Sequence, residues 1–221
     1  ILHGLEGSTQ SAYATGMLNA IHENGWRGLF MYQRSCSGVP NRLDRRYHAG
    51  ETNDLNTLFK ILSKREPETP ISIIGYSLGG NILLKWLAEQ QPIPRQLAAV
   101  VAVSVPFDLF KVTERLSQGF SKIYQFVMLK KMQKSLKDKY RNRQTKLNLE
   151  HILKQKTLRD FDDVFTAPIH GFKNVDDYYQ QAAVKFCAKL AKCQNSDSGQ
   201  EAPNSSLNGI NDLGEMANEL S

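Results

Sequence analysis

Two textures of apolar residues alternate along the chain. Short continuous apolar runs, "GLFMY" (28–32), "ISIIGY" (71–76) and "LAAVVAVSV" (97–105), read as strands covered on both faces, because such strands have no polar face to alternate with. The opening "ILHGLEGS" reads as a further strand ending in a glycine-flanked turn. A domain does not normally begin inside a buried strand, so the expectation is that the natural start lies upstream. Between the runs, apolar residues recur at helical spacing: Ala14, Met17, Leu18 and Ile21 ahead of the C-cap signal Gly25, then Leu55, Leu58, Phe59 and Leu62 on one face of a helix over 54–64. A third helix is predicted over 81–90. Strand and helix in alternation predict a parallel sheet with helices on both faces.

After Pro106 the pattern turns helical throughout, with predicted helices over 109–122, 124–140, 149–165 and 175–192. Helices inserted behind a sheet strand commonly cover the sheet's carboxyl edge. The expected organisation is therefore a core over 1–108, a helical lid over 109–182, and a tail over 183–221. That tail is polar, with five acids and no Lys or Arg from 194 onward, and is expected to be disordered.

Composition narrows the class. A chain of 221 residues with 41% apolar content suits one soluble domain, and its longest apolar run, 97–107, is too short to cross a bilayer. The three cysteines, Cys36, Cys187 and Cys193, show no metal-ligand spacing, which predicts reduced thiols in a cytoplasmic setting. The net charge of +6 is unevenly spread: from Lys111 to Asp160 there are fourteen Lys or Arg against four acids. Such a stretch can attract nucleic acid, anionic headgroups or anionic substrates. Because its aromatics fall at apolar helical positions and are expected to pack inward, the stretch is read first as a solvated helix face, which argues against nucleic acid and leaves at most a weak contact with anionic membrane.

The chemistry concentrates at "GYSLGG" (75–80), where Ser77 fits G-x-S-x-G between a strand and an amphipathic helix. In that turn the serine takes strained backbone angles while Gly75 and Gly79 relieve crowding, and the helix start favours developing negative charge. Ser77 is the candidate nucleophile. One oxyanion donor is expected from the N–H of Leu78, the residue after the nucleophile, and the second from Leu5, with Glu6 as the weaker choice, in the loop "HGLEGS". His3 is expected to orient that loop and not to act as a base.

The segments "LEGS", "GWRGLFMYQRSCSGVPNR", "YHAGETNDL", "GYSLGGN", "SVPFDL", "GFSKIY" and "FDDVFTAPIHGF" followed by "DYY" resemble the YheT-like branch of the α/β-hydrolase superfamily. The resemblance covers residues 1–182. It implies an α/β-hydrolase fold with a mostly parallel central sheet and a helical lid, and a serine hydrolase of carboxylic esters, short-chain ester or lipid, without metal or organic cofactor. It matches Ser77 to the nucleophile, Leu78 to the following donor, and His3, Gly4 and Leu5 to the oxyanion loop.

The chain departs from that pattern near residue 183, where family members continue into strands carrying an aspartate and then a histidine. No histidine follows His170. The expectation is a truncation or frameshift near residue 183, with the C-terminal strands and the acid and base missing. His22 and His48 are expected as surface or packing residues, His170 as a family feature other than the base, Asp108 as a helix cap, and Asp162 and Asp163 as structural. A second reading follows: a catalytically incompetent fragment or a binding module.

Overall fold

The structure, a computed structural model, describes residues 1–183. Strand β1 (Ile71–Tyr76) pairs in parallel with β2 (Leu97–Val103), in register from Ser72 opposite Ala99 to Tyr76 opposite Val103. The other two predicted strands shrink to single bridges, both made by Leu2, to Met31 on one side and Gly75 on the other. Even so, Leu2 N–H donates to Ile74 O (2.8 Å), Tyr76 N–H to Leu2 O (3.0 Å), and Met31 N–H to Ile1 O (3.0 Å). The lateral order is therefore 29–31, 1–2, β1, β2, all running the same way.

The expected burial on both faces fails for β2. Ala98, Ala99 and Val101 are exposed, because the strand's outer edge and one face have no cover among the described residues. The opposite side of the sheet carries the core. Helices α2 (Asn53–Arg65) and α3 (Leu78–Ala88) cover it, Leu55 and Phe59 of α2 packing with Leu83 and Trp86 of α3 against Leu2 and Ile73, while α1 (Ala12–Glu23) sets the Tyr13 ring 4.3 Å from that of Tyr76. Trp86 is fully buried with its ring 5.1 Å from that of Phe59, a burial of the kind worth about 1.5–3 kcal/mol per large side chain.

Residues 109–182 form the helical layer. It contains α4 (Leu109–Leu116), α5 (Ser121–Tyr140), α6 (Leu149–Leu153), α7 (Leu158–Phe161), a π-helical turn (Asp162–Thr166), α8 (Ala167–Ile169) and α9 (Val175–Ala182). The predicted helix over 109–122 stops at Leu116, before a turn containing Gly119 at φ 51°. The helix predicted over 149–165 breaks after Leu153. Thr157 takes an extended conformation there and its side chain caps α7 by accepting from Asp160 N–H. The expectations for 184–221, including the end of the last helix and the disordered tail, lie outside the described residues.

One correction matters later. The aromatics of the basic stretch do not all turn inward: α5 buries Gln125, Met128, Leu129, Met132, Gln133 and Leu136, whereas Phe120, Ile123, Tyr124, Phe126 and Val127 are exposed. A helix can press only one stripe onto its neighbours, and in α5 the Met/Leu row takes it. That row joins Ile152, Leu158, Phe161 and Phe165 in a core belonging to the helical layer itself.

Candidate active site

Four non-glycine residues among those described have positive φ: Glu6 (52°), Ser35 (68°), Ser77 (50°) and Ser104 (54°). Each follows the carboxyl end of one of the four parallel segments. Such conformations cost on the order of 1–3 kcal/mol each and persist only where the surroundings enforce them. Strain thus gathers along the one sheet edge where α/β proteins assemble their sites.

At Ser77 the enforcement is visible. Its N–H donates to Val103 O (2.8 Å), which ties the turn to β2, and its carbonyl accepts from Gly80 N–H (2.9 Å) and Asn81 N–H (3.1 Å) as α3 begins. Helix α3 therefore starts three residues earlier than the apolar spacing suggested, with Ser77 at its N-cap position. The turn is also crowded. A Cβ on Gly79 would lie 2.6 Å from the carbonyl oxygens of both Leu2 and His3, and one on Gly75 would lie 2.6 Å from Gly79 O. Ser77 Oγ itself makes no hydrogen bond among the described residues.

The loop after Leu2 faces this turn. Gly4 approaches so closely that a Cβ there would lie 3.2 Å from Ser77 Cβ and 3.8 Å from Oγ. Gly4 N–H donates to Tyr13 Oη (3.1 Å), and Glu6 N–H to Tyr47 Oη (2.8 Å). Between them, Leu5 N–H has no partner among the described residues, and neither does Leu78 N–H across the gap. Glu6, the weaker candidate donor, has its amide occupied. Leu5 is further fixed by its side chain, which packs against the core of the helical layer.

His3 is completely buried and both its ring nitrogens are engaged. Nε2 accepts from Gln33 N–H (2.9 Å), so Nδ1 carries the proton and donates to Gly4 O (2.6 Å). Burial lowers its pKa, which keeps it neutral. It braces the loop, as expected. A second brace was not legible in the sequence. The Glu6 carboxylate accepts from Arg46 Nη2 (2.8 Å) and Tyr47 Oη (3.1 Å), in a cluster where burial pushes the neighbouring Cys36 thiol up to about 12. Residues forty apart meet there, and no local pattern pairs them.

The remaining histidines do not reach Ser77 through any hydrogen bond. His22 on α1 and His151 on α6 are exposed. His48 and His170 stand edge to face with ring centroids 4.6 Å apart, and His170 Nε2 lies 2.9 Å from Arg46 O, which joins the helical layer to the Arg46–Glu6 brace. Burial, with the charges of His170 and Lys85 behind it, pushes His48 down to about 3. Asp108 caps α4 by accepting from Phe110 and Lys111 N–H. Asp162 accepts from Tyr179 Oη (2.9 Å), and burial raises its carboxyl to about 6. Asp163 accepts from Val175 N–H (2.9 Å). No group of three His, Cys, Asp or Glu side chains among the described residues is placed to hold a metal ion.

Asn81, one turn into α3, fixes the site to its surroundings. Its buried Nδ2 donates to Ala49 O and Ala182 O, both at 2.8 Å, linking α3, the loop before α2, and the end of α9. Beside the loop of Glu6, Gly7 and Ser8 lies a cavity of about 270 Å³, walled opposite by Lys131, Lys134 and Ser135 of α5.

Comparison with known proteins gives the fold family. A family model described as alpha/beta hydrolase fold matches residues 1–201. YheT of Escherichia coli, named as an esterase by inference, is 38% identical over 196 residues, covering 87% of this chain and 57% of its own. Phospholipase ABHD3 of Homo sapiens is 28% identical, with 83% of this chain and 45% of its own covered. A monoacylglycerol lipase of Saccharomyces cerevisiae is 28% identical, with 83% and 42% covered. The chain spans about half the length of the curated relatives it matches. No solved structure gives a significant match.

Proposed function

The chain belongs to the alpha/beta hydrolase fold family, and on that premise we propose that it is a serine hydrolase of carboxylic esters, short-chain esters or lipids, working through Ser77. The observation that carries this reading is the positive-φ turn at Ser77, whose unengaged Oγ faces Gly4, with the amides of Leu5 and Leu78 open among the described residues. Ser77 Oγ attacks the ester carbonyl carbon, its proton passes to a general base, and charge develops on the former carbonyl oxygen. The N–H groups of Leu5 and Leu78 receive that oxyanion, each donor worth about 2.7–4 kcal/mol of transition-state stabilisation. The tetrahedral species then expels the alcohol and leaves an acyl group on Oγ, which water removes. The cavity beside Glu6, on the same loop as Leu5, is the place this reading gives the non-reacting part of the ester.

Residues 109–182 act in this reading as a lid over a core of 1–108, in a cytoplasmic protein that needs no metal or organic cofactor. Its partners are the ester or lipid and, through the basic helices, an anionic membrane, with no nucleic acid. No described helix is long and apolar enough to cross a membrane.

A second reading has one observation in its favour, since no histidine or carboxylate among the described residues hydrogen-bonds Ser77. The chain would then be a catalytically incompetent fragment or a binding module using the same cleft. Hydrolysis of p-nitrophenyl esters by the purified chain and by Ser77→Ala separates the two. The nucleophile reading expects Ser77→Ala to lower kcat at least about a thousandfold. Equal slow rates for both proteins support the binding module.

A further inference from the structure

We propose that the first half of α5, with Phe120 at its N-cap, is a membrane-docking wedge, which seats on bilayers containing anionic lipid by burying Phe120, Ile123, Tyr124, Phe126 and Val127. Phe120, Ile123, Tyr124 and Val127 follow the i, i+3, i+4, i+7 spacing of one helical stripe, and Phe126 widens it. Phe120 is 91% exposed and the others lie between 45% and 65%, an unusual density of open apolar surface for eight residues of a soluble protein. The opposite stripe of the same helix is already spent on the internal core, so the outward one is not needed for the fold.

Charge identifies the occupant. Helix α5 carries six lysines and a single acid, Asp138. Lys139 is buried against Asn41, Leu43 and Asp44, while Lys122, Lys130, Lys131, Lys134 and Lys137 are exposed and form no ion pair among the described residues. Lys130 Nζ lies 5.4 Å from the Phe126 ring centroid, so the cation sits at the border of the apolar stripe, where the headgroups of a bilayer would lie. An apolar stripe with a lysine flank fits the interfacial region of a bilayer, where the stripe enters about 5–10 Å and the lysines meet anionic headgroups.

The position along the helix is informative as well. Lys131, in the cavity wall, is five residues beyond Phe126, or about 7.5 Å along the axis. A docked α5 therefore brings the cavity beside Glu6 close to the lipid surface. This last step rests on the ester hydrolase reading, whereas docking itself requires nothing of Ser77.

The test is co-sedimentation of the chain with vesicles of phosphatidylcholine alone and with vesicles that also contain phosphatidylserine. Binding should be strong only with phosphatidylserine and should weaken as salt is raised. Removing Lys130 and Lys134 as glutamines should lower the partition constant about fivefold per lysine. The pair Phe120→Ser and Phe126→Ser, both exposed sites where folding is retained and checked by thermal unfolding, should lower it at least about tenfold. Phe126→Trp should shift its emission to shorter wavelength on those vesicles. Ser77→Ala should bind like the wild type, so a failed nucleophile and a failed docking surface give different results. The proposal is overturned by absence of vesicle binding, by binding that survives the Phe120 and Phe126 substitutions, by self-association that those substitutions abolish, or by a preference for single-stranded DNA over the vesicles.

Discussion

Replacing a glycine by alanine should have opposite effects at two positions of this chain, and the contrast tests the crowding that builds the Ser77 turn. Gly16 lies inside α1 with nothing within 4 Å of the position its Cβ would take. Alanine there gains helix propensity and should stabilise the fold by about 0.5–1 kcal/mol. At Gly79 the same methyl group would lie 2.6 Å from the carbonyl oxygens of Leu2 and His3. Ordinary contact requires ~3.5 Å or more, so the backbone at residues 2–3 must retreat by most of an ångström. It cannot do so freely, because Leu2 is bonded to Ile74 and Tyr76. Overpacking against such neighbours costs about 3 kcal/mol, of which the first turn of α3 regains less than 1. In urea, with a slope of about 2 kcal/mol per molar, the midpoint should fall by roughly 1 M for Gly79→Ala and rise by a few tenths for Gly16→Ala. Equal shifts, or an unchanged midpoint for Gly79→Ala, would refute the close approach of the Leu5 loop to the start of α3.

Other outcomes follow from the braces around the site. His48, held near pKa 3 in the fold against 6.5 when unfolded, takes up its proton only in the unfolded chain between those values, so stability falls as pH drops below 6.5, by up to about 2 kcal/mol at pH 5; urea melts should show that slope reduced in His48→Asn. Asn81→Leu leaves the carbonyls of Ala49 and Ala182 buried without their donor and should cost about 2–5 kcal/mol, read by thermal unfolding. Tyr47→Phe removes both the acceptor for Glu6 N–H and a donor to its carboxylate, and should lower kcat for ester hydrolysis toward 100-fold with KM little changed, because misplacement of the Leu5 amide acts on the transition state.

The parts of this fold that depend on local pattern are legible in the sequence. The strand, turn and helix around Ser77 are consecutive in the chain, so apolar period and glycine spacing revealed them together. His3 was recognisable as a brace for the same reason. Helix ends were less legible: α4 stops at Leu116 and the 149–165 helix breaks at Thr157 through turn geometry and capping, which apolar period does not encode. The strand run at 97–103 looked buried on both faces, but Ala98, Ala99 and Val101 are exposed among the described residues, because hydropathy reports what a residue prefers and not what lies next to it. The same limit applied to α5, where inward and outward apolar stripes are both regular. Glu6, Arg46, Tyr47 and the His48–His170 contact come from distant parts of the chain, so only the fold could join them.

The central claim is that Ser77 is a nucleophile held ready for attack. Reaction of the purified chain with a serine-directed fluorophosphonate, followed by mass spectrometry of its peptides, addresses it directly. The adduct should appear on the peptide containing Ser77 and disappear in Ser77→Ala, with Gly79→Ala slowing its formation. Equal labelling of wild type and Ser77→Ala, or an adduct on another serine alone, would contradict the assignment.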